Sequence, residues 1–183
     1  WFIALEPLVH TVRGLAAGVA GVIAYFLMPR RRRLMHERLQ AVLAEASAMS
    51  TGVILLSHSL GCLIAFDVLS RGAQNYNVAA WISLGCPLAL VMRTIWRRRS
   101  AGSLIPAFVP AWYNVYTLAD PIAGAVSGSL PLCTVTDRQV AGSRCPVRAH
   151  HYWDNPEVVR LVTDLIRSPS VLHSEESKDR VIG

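Results

Sequence analysis

The sequence predicts an α/β protein with a mostly parallel sheet and helices on both of its faces. Three observations predict it. Short, continuous apolar runs such as residues 52–56 (GVILL) and 78–84 (VAAWISL) have the length and composition of buried strands. These runs alternate with amphipathic stretches long enough for helices, the order that produces a parallel sheet. Finally, 52% of the 183 residues are hydrophobic and only 16% are charged, too apolar for a disordered chain and suited to a large buried core. The length fits one domain, or a short domain plus an appendage.

Taken in order, residues 1–28 read as apolar helix broken by Gly14, Gly18 and Gly21 and ended by Pro29. Residues 14–29 carry no charge and run into Arg30–Arg33, as a stop-transfer segment does. The run is shorter than the roughly 20 residues a span needs. Extending it towards residue 1 brings in Glu6, Pro7, His10 and Arg13. A secretory signal would have its basic residues before the apolar stretch. A buried or interfacial helix is therefore expected rather than a spanning one.

Residues 31–49 read as an amphipathic helix, with Leu34, Leu39, Val42, Leu43 and Ala46 towards the core and Arg33, Glu37, Arg38 and Glu45 towards water. GVILL follows as a strand expected to be buried on both faces. Residues 60–71 form a helix stopped by Gly72, and 78–84 a second strand ended by Gly85-Cys86-Pro87. Residues 88–96 suggest a helix and 97–110 an irregular excursion. Residues 112–117 (WYNVYT) alternate as a third strand, 121–131 form a Gly/Ser-rich loop, and 132–136 a fourth strand that Val140 extends. A last helix over 154–166 has Asp154 or Asn155 as cap, Pro156 in its first turn and Glu157 near its positive end. The expected organisation is a helical segment at 1–49, a catalytic core at 50–167 and a polar tail at 168–183.

The 18 Lys and Arg against 12 Asp and Glu leave a net charge of +6, concentrated in Arg30–Arg33 and Arg97–Arg99. No zinc-finger spacing or ribonucleoprotein signature accompanies these clusters, so solvated loops are expected and no nucleic-acid partner. Cys62, Cys86, Cys133 and Cys145 contain no Cys-x-x-Cys pair, which removes zinc-ribbon and thioredoxin-like readings. Cys62 and Cys86 sit in apolar runs as small core residues, and the spacing of Cys133 and Cys145 permits a bridge.

The chemistry concentrates at Ser57-His58-Ser59-Leu60-Gly61, between a buried strand and a helix. A small-x-Ser-x-small turn in that setting is a nucleophile elbow, which lifts the Ser59 hydroxyl clear of the backbone. The Leu60 N–H then opens the helix and can donate to an oxyanion. A serine needs a base, and the base an orienting acid, in the chain order Ser, acid, His. Asp120, on the loop after WYNVYT, is the first choice of acid. Asp137 competes, and Asp67, inside the elbow helix, reads as a surface or cap residue. His150 is preferred to its neighbour His151 as base. His58 reads as structural, and His10, His36 and His173 lack supporting context.

Four blocks carry a resemblance: VILLSHSLGCLIAFDVLS (53–70), ISLGCPLAL (82–90), WYNVYTLADPIAG (112–124) and AHHYWDNPEVV (149–159). In that order they resemble the α/β-hydrolase superfamily on its bacterial serine esterase and lipase-like side. The resemblance covers most of residues 50–167. It implies an α/β-hydrolase fold with Ser59 as nucleophile, Asp120 as acid and His150 as base. It implies hydrolysis of a carboxylic ester or related acyl compound, of small-molecule or lipid-like character, with no metal or organic cofactor. A cytoplasmic location is expected in preference to membrane association.

The chain departs from that family in two ways. His-His-Tyr-Trp leaves the spacing of the base open. Residues 1–49 hold no strand or Gly-rich loop of the kind that supplies the family's second oxyanion donor. With one donor in place of two, roughly 3 kcal/mol of transition-state stabilisation would be lost. This motivates a rival reading, a hydrolase-like interaction module with weak turnover. Residue 1 is Trp, which together with the absent front strands suggests a processed product or a piece of a longer protein.

Overall fold

The computed structural model describes residues 20–72, 75–94, 109–130 and 134–167. After a helical stretch over residues 20–27, the order is α1 (Pro29–Met49), β1 (Val53–His58), α2 (Leu60–Gly72), β2 (Val78–Leu84), α3 (Leu88–Thr94), β3 (Ala111–Tyr116), a 3₁₀ turn (Ser127–Ser129), β4 (Val135–Gln139), α4 (Pro146–Ala149) and α5 (Pro156–Arg167). The four strands make one sheet in the order β1-β2-β3-β4, and every neighbouring pair is parallel. This is the expected α/β class.

Alternation along each strand divides the core in two. Leu55, Trp81, Trp112 and Val135 are register partners on one face, where Tyr25, Leu43 and the α2 residues Cys62, Leu63, Phe66 and Leu69 cover them. Ala80, Ile82, Leu84 and Val115 face the other way and meet Val158, Leu161 and Leu165 of α5. Those three residues recur at i, i+3 and i+7, one stripe of a helix. Each successive strand lies beside the last in the same direction. α2 and α3 lie against the first face, and among the described residues α5 is the helix that covers the second.

Two residues further along each strand, and so on the same first face, lies a polar row, Ser57, Ser83, Asn114 and Asp137, again register partners. Trp81 Nε1–H donates to Ser57 Oγ at 2.8 Å, and Trp112 Nε1–H to Ser83 Oγ at 3.0 Å. Ser83 Oγ–H donates to Asn114 Oδ1 at 3.1 Å, and the Asn114 amide to Asp137 Oδ1 at 2.6 Å. The two indoles stack at 4.2 Å.

Several expectations need correction. β1 is not buried on both faces: it is the sheet's edge among the described residues, and Val53–Leu56 are half-buried where β2 is buried throughout. An apolar run specifies a strand but not its place in the order. β4 is Val135–Gln139, with Val135 the register partner of Trp112; Thr134 lies outside the strand, and of the expected 132–136 residues 132 and 133 lie outside the described residues.

On α1, Leu34 and Val42 are 56% and 61% exposed, while Leu43 is buried and Met35 and Leu39 pack on the core. The face is rotated by the demands of Tyr25, His36 and Asp67. Asp67 is buried rather than on the surface: it accepts a 2.5 Å hydrogen bond from the Tyr25 hydroxyl. With its one hydrogen committed, that hydroxyl accepts from His36 Nε2–H at 2.7 Å. His36 therefore has a context that the sequence did not reveal.

Pro29 both ends the preceding stretch and opens α1. Asn155 caps α5, its Oδ1 accepting the Glu157 N–H at 2.9 Å. Cys62 and Cys86 are buried. Among the described residues no helix is long and apolar enough to cross a membrane. Residues 1–19, Arg97–Arg99, most of the 97–110 excursion, Cys133, His173 and the rest of the 168–183 tail lie outside the described residues.

Candidate active site

The site lies where β1, β2 and β3 end. β1 runs to His58 and α2 begins at Leu60, so Ser59 alone makes the turn. Its φ is +54°, and it is the one described non-glycine residue in the left-handed region. That conformation costs roughly 1–2 kcal/mol for an L-residue. The surroundings enforce it: the Ser59 N–H donates to Leu84 O at 3.0 Å, and its carbonyl accepts from the Cys62 N–H at 2.9 Å. Leu60 supplies the first amide of α2, one of those a helix leaves without an internal acceptor. Ser57 and Gly61 face each other across the turn, since a Cβ on Gly61 would lie 3.9 Å from Ser57 Cβ. That is ordinary contact, so the turn needs a small residue at 61 but not a glycine.

Asp120 sits on the loop after β3 with a fully buried side chain. Its Oδ2 accepts two hydrogen bonds, from His150 Nδ1–H and from the Tyr152 hydroxyl, each at 2.8 Å. Its Oδ1 accepts the Ile122 N–H at 3.1 Å. Burial pushes this carboxyl up. The hydrogen bonds from His150 and Tyr152, the charge of His150 and the Ile122 amide together outweigh burial and hold it below the ordinary carboxylate range. The Tyr152 hydroxyl is driven well above its usual value, by burial first and by Asp120 second. It also accepts the Thr117 N–H at 3.2 Å, which pins the loop to the end of β3.

His150 follows the single turn of α4. With Nδ1–H committed to Asp120, the neutral ring carries its free lone pair on Nε2. Gly85, at the end of β2 with φ +56°, passes directly beneath: a Cβ there would lie 2.7 Å from Tyr152 Cε2 and 3.0 Å from His150 Cε1. His58 packs against the His150 ring at 4.7 Å between centroids.

The rival residues are elsewhere. His151 pairs with Asp154 at 3.1 Å in solvent. Asp137 accepts the Val126 and Ser127 amides at 2.9 and 3.0 Å, besides Asn114, and so organises the 124–127 loop. Its carboxyl too is held low: burial raises it, and these donors prevail.

The structure thus brings His150 and Asp120 into direct contact and places Ser59 one residue from the imidazole packed on His150. Ser59 Oγ and His150 are not themselves hydrogen-bonded; such contacts often tighten only when substrate binds. Three participants went unassigned in the sequence. Tyr152 stood in the quoted His-His-Tyr-Trp run without a role. Gly85 was legible only as a strand stop, and His58 only as a constrained neighbour. Beside the elbow, an apolar groove of about 540 Å³ is lined by Met35, Leu39, Leu55, Ile64, His58 and Trp153 among others. No His, Cys, Asp and Glu cluster able to hold a metal ion occurs among the described residues. Compared with models of protein families and with curated proteins, the sequence matches none.

Proposed function

We propose that this chain is a serine hydrolase of the α/β-hydrolase type, acting on a carboxylic ester or related acyl compound. The observation that carries the reading is Ser59 held at φ +54° on a strand-to-helix turn, one residue from His58, whose ring packs on an imidazole that a buried carboxylate orients. His150 Nε2 takes the Ser59 proton as Oγ attacks the acyl carbon. Negative charge gathers on the carbonyl oxygen, where the Leu60 N–H donates. As the intermediate collapses, His150 returns the proton to the departing alkoxide and leaves an acyl-Ser59 ester. Water then gives a proton to the same nitrogen, attacks that ester, and the acid leaves as Ser59 recovers its proton. Asp120 stays ionised throughout and stabilises the transient imidazolium. The groove beside His58 and Gly61 favours an apolar, lipid-like acyl part.

A fluorophosphonate probe tests the reading. The expected result is labelling of Ser59, abolished in Ser59→Ala and strongly slowed in His150→Ala. Wild-type protein that is folded yet inert to the probe and to nitrophenyl esters would overturn it. A second reading, a module that binds acyl compounds without effective turnover, draws on β1 being an edge strand among the described residues, where Leu60 is the one oxyanion donor identified. Labelling of Ser59 without release of the acyl group would favour it.

A further inference from the structure

His58 is the residue before the candidate nucleophile, yet its side chain reaches the segment that carries the candidate base. Its Nε2 lies 2.9 Å from the carbonyl oxygen of His150, 92 positions away in sequence. A carbonyl only accepts, so Nε2 carries the hydrogen and the neutral ring is the Nε2–H tautomer. The ring packs on His150 at 4.7 Å, on Trp153 at 5.7 Å and on Tyr152 at 6.0 Å. The groups facing it are His150, Asp120 and His151.

The other contacts of this segment fix it to the end of β3. Asp120 holds the His150 ring, Tyr152 receives the Thr117 amide, and Thr117 Oγ1–H reaches Ala149 O at 3.4 Å. None of these measures the distance from base to nucleophile. The His58 hydrogen bond does, because its donor is anchored one residue from Ser59 and its acceptor is the backbone of His150.

We propose that His58 is a positioning residue for acyl transfer: its Nε2–H tethers the His150 backbone to the nucleophile turn and sets the spacing across which the proton moves. The proposal rests on the hydrolase reading above. It extends that reading to a residue that also lines the groove and acts on the proton transfer through His150 rather than on the reacting atoms. Misplacement of about 1 Å between reacting groups costs on the order of a hundredfold in rate. Burial, the first cause, lowers the His58 basicity, so the ring stays neutral and remains a donor without placing a second positive charge beside His150 as it protonates.

The test compares His58→Phe with His58→Gln in the full chain, using nitrophenyl ester hydrolysis and fluorophosphonate labelling. Phe keeps a planar ring and loses the donor. Gln places an amide N–H close to where Nε2 stood. For His58→Phe, kcat is expected to fall at least tenfold with KM within about twofold, and labelling of Ser59 to slow in proportion. His58→Gln is expected to recover most of both. Nitrogen NMR of the wild type should place the His58 hydrogen on Nε2, a readout independent of turnover and of whether the Phe variant folds. A His58 ring protonated on Nδ1 alone, or equal impairment of the two variants, would overturn the tether. So would wild-type kcat in a folded His58→Phe. Wild type that neither labels nor hydrolyses overturns the hydrolase reading and this role with it, so the two failures are told apart.

Discussion

At the scale of single residues, Gly85 is the most exacting position. Its positive φ already penalises a side chain, and a Cβ would press into both His150 and Tyr152. Gly85→Ala is expected to destabilise the fold by about 1–3 kcal/mol and to slow probe labelling at Ser59 by more than tenfold, measured on the same preparation. The two candidate acids separate just as sharply. Asp120→Asn should lower ester hydrolysis by about a thousandfold or more, since the amide no longer holds His150 in the required tautomer. Asp137→Asn should leave the rate within a few-fold of wild type while loosening the 124–127 loop. Steady-state kinetics on the pair decides between them.

Tyr152→Phe removes a donor from Asp120 and an acceptor from the Thr117 amide, at a cost of about 1–3 kcal/mol. The carboxylate is then less favoured than before. A folded-state value held below the ordinary 3.8 contributes stability above that pH and loses it as the pH falls through the lowered value. Urea titrations at pH 7 and pH 3 should therefore show a smaller acid loss in Tyr152→Phe than in wild type.

At the scale of elements, β2, α2 and α5 were readable because each joins an apolar run or stripe to punctuation: Gly72 closing α2, Gly85 after β2, and Asn155-Pro156 opening α5. α1 was readable as a helix but not in its orientation. Its first turn carries Arg30–Arg33 with no acidic residue, which opposes the helix dipole, so packing rather than local preference holds it. What it packs around is the Tyr25, His36 and Asp67 cluster, three residues far apart in sequence and polar, and so invisible to a hydrophobic pattern. Tyr25→Phe should cost about 1–3 kcal/mol, because it leaves a buried carboxylate without its nearest donor. A larger loss, about 2–5 kcal/mol, is expected for Leu161→Ala in the centre of the α5 stripe. Chemical denaturation measures both.

For the whole molecule, the class was legible because alternating apolar runs and helices have few other solutions. Strand order was not, and neither was the cross-strand pairing that commits Asp137 to Asn114. Nothing in residues 132–139 announces that Asp137 sits opposite Asn114. The acid behaviour of the molecule follows from groups in both halves. Burial, as the largest cause, lowers both His36 and His58 from the ordinary imidazole value of 6.5. The unfolded chain therefore binds protons that the folded chain declines. Stability is full above pH 6.5 and falls as the pH drops towards the lowered values. Thermal melts should be flat between pH 7 and 8 and decline below 6.5, and His36→Gln combined with His58→Gln should flatten that decline.

The row formed by Ser57, Ser83, Asn114 and Asp137 has one more consequence. A parallel sheet of apolar strands can pair out of step and still bury much the same area. Here a slip of one residue in any strand would turn its polar member, and in β2 or β3 its indole, to the opposite face. The Ser57 and Ser83 hydroxyls and the Asn114 amide, all buried, would lose their partners at about 1–3 kcal/mol each. The penalty grows with every strand that misaligns, so the four residues discriminate against wrong sheets more than they strengthen the right one. Replacing them with apolar residues of similar size would leave a sheet that still forms, but in more than one alignment.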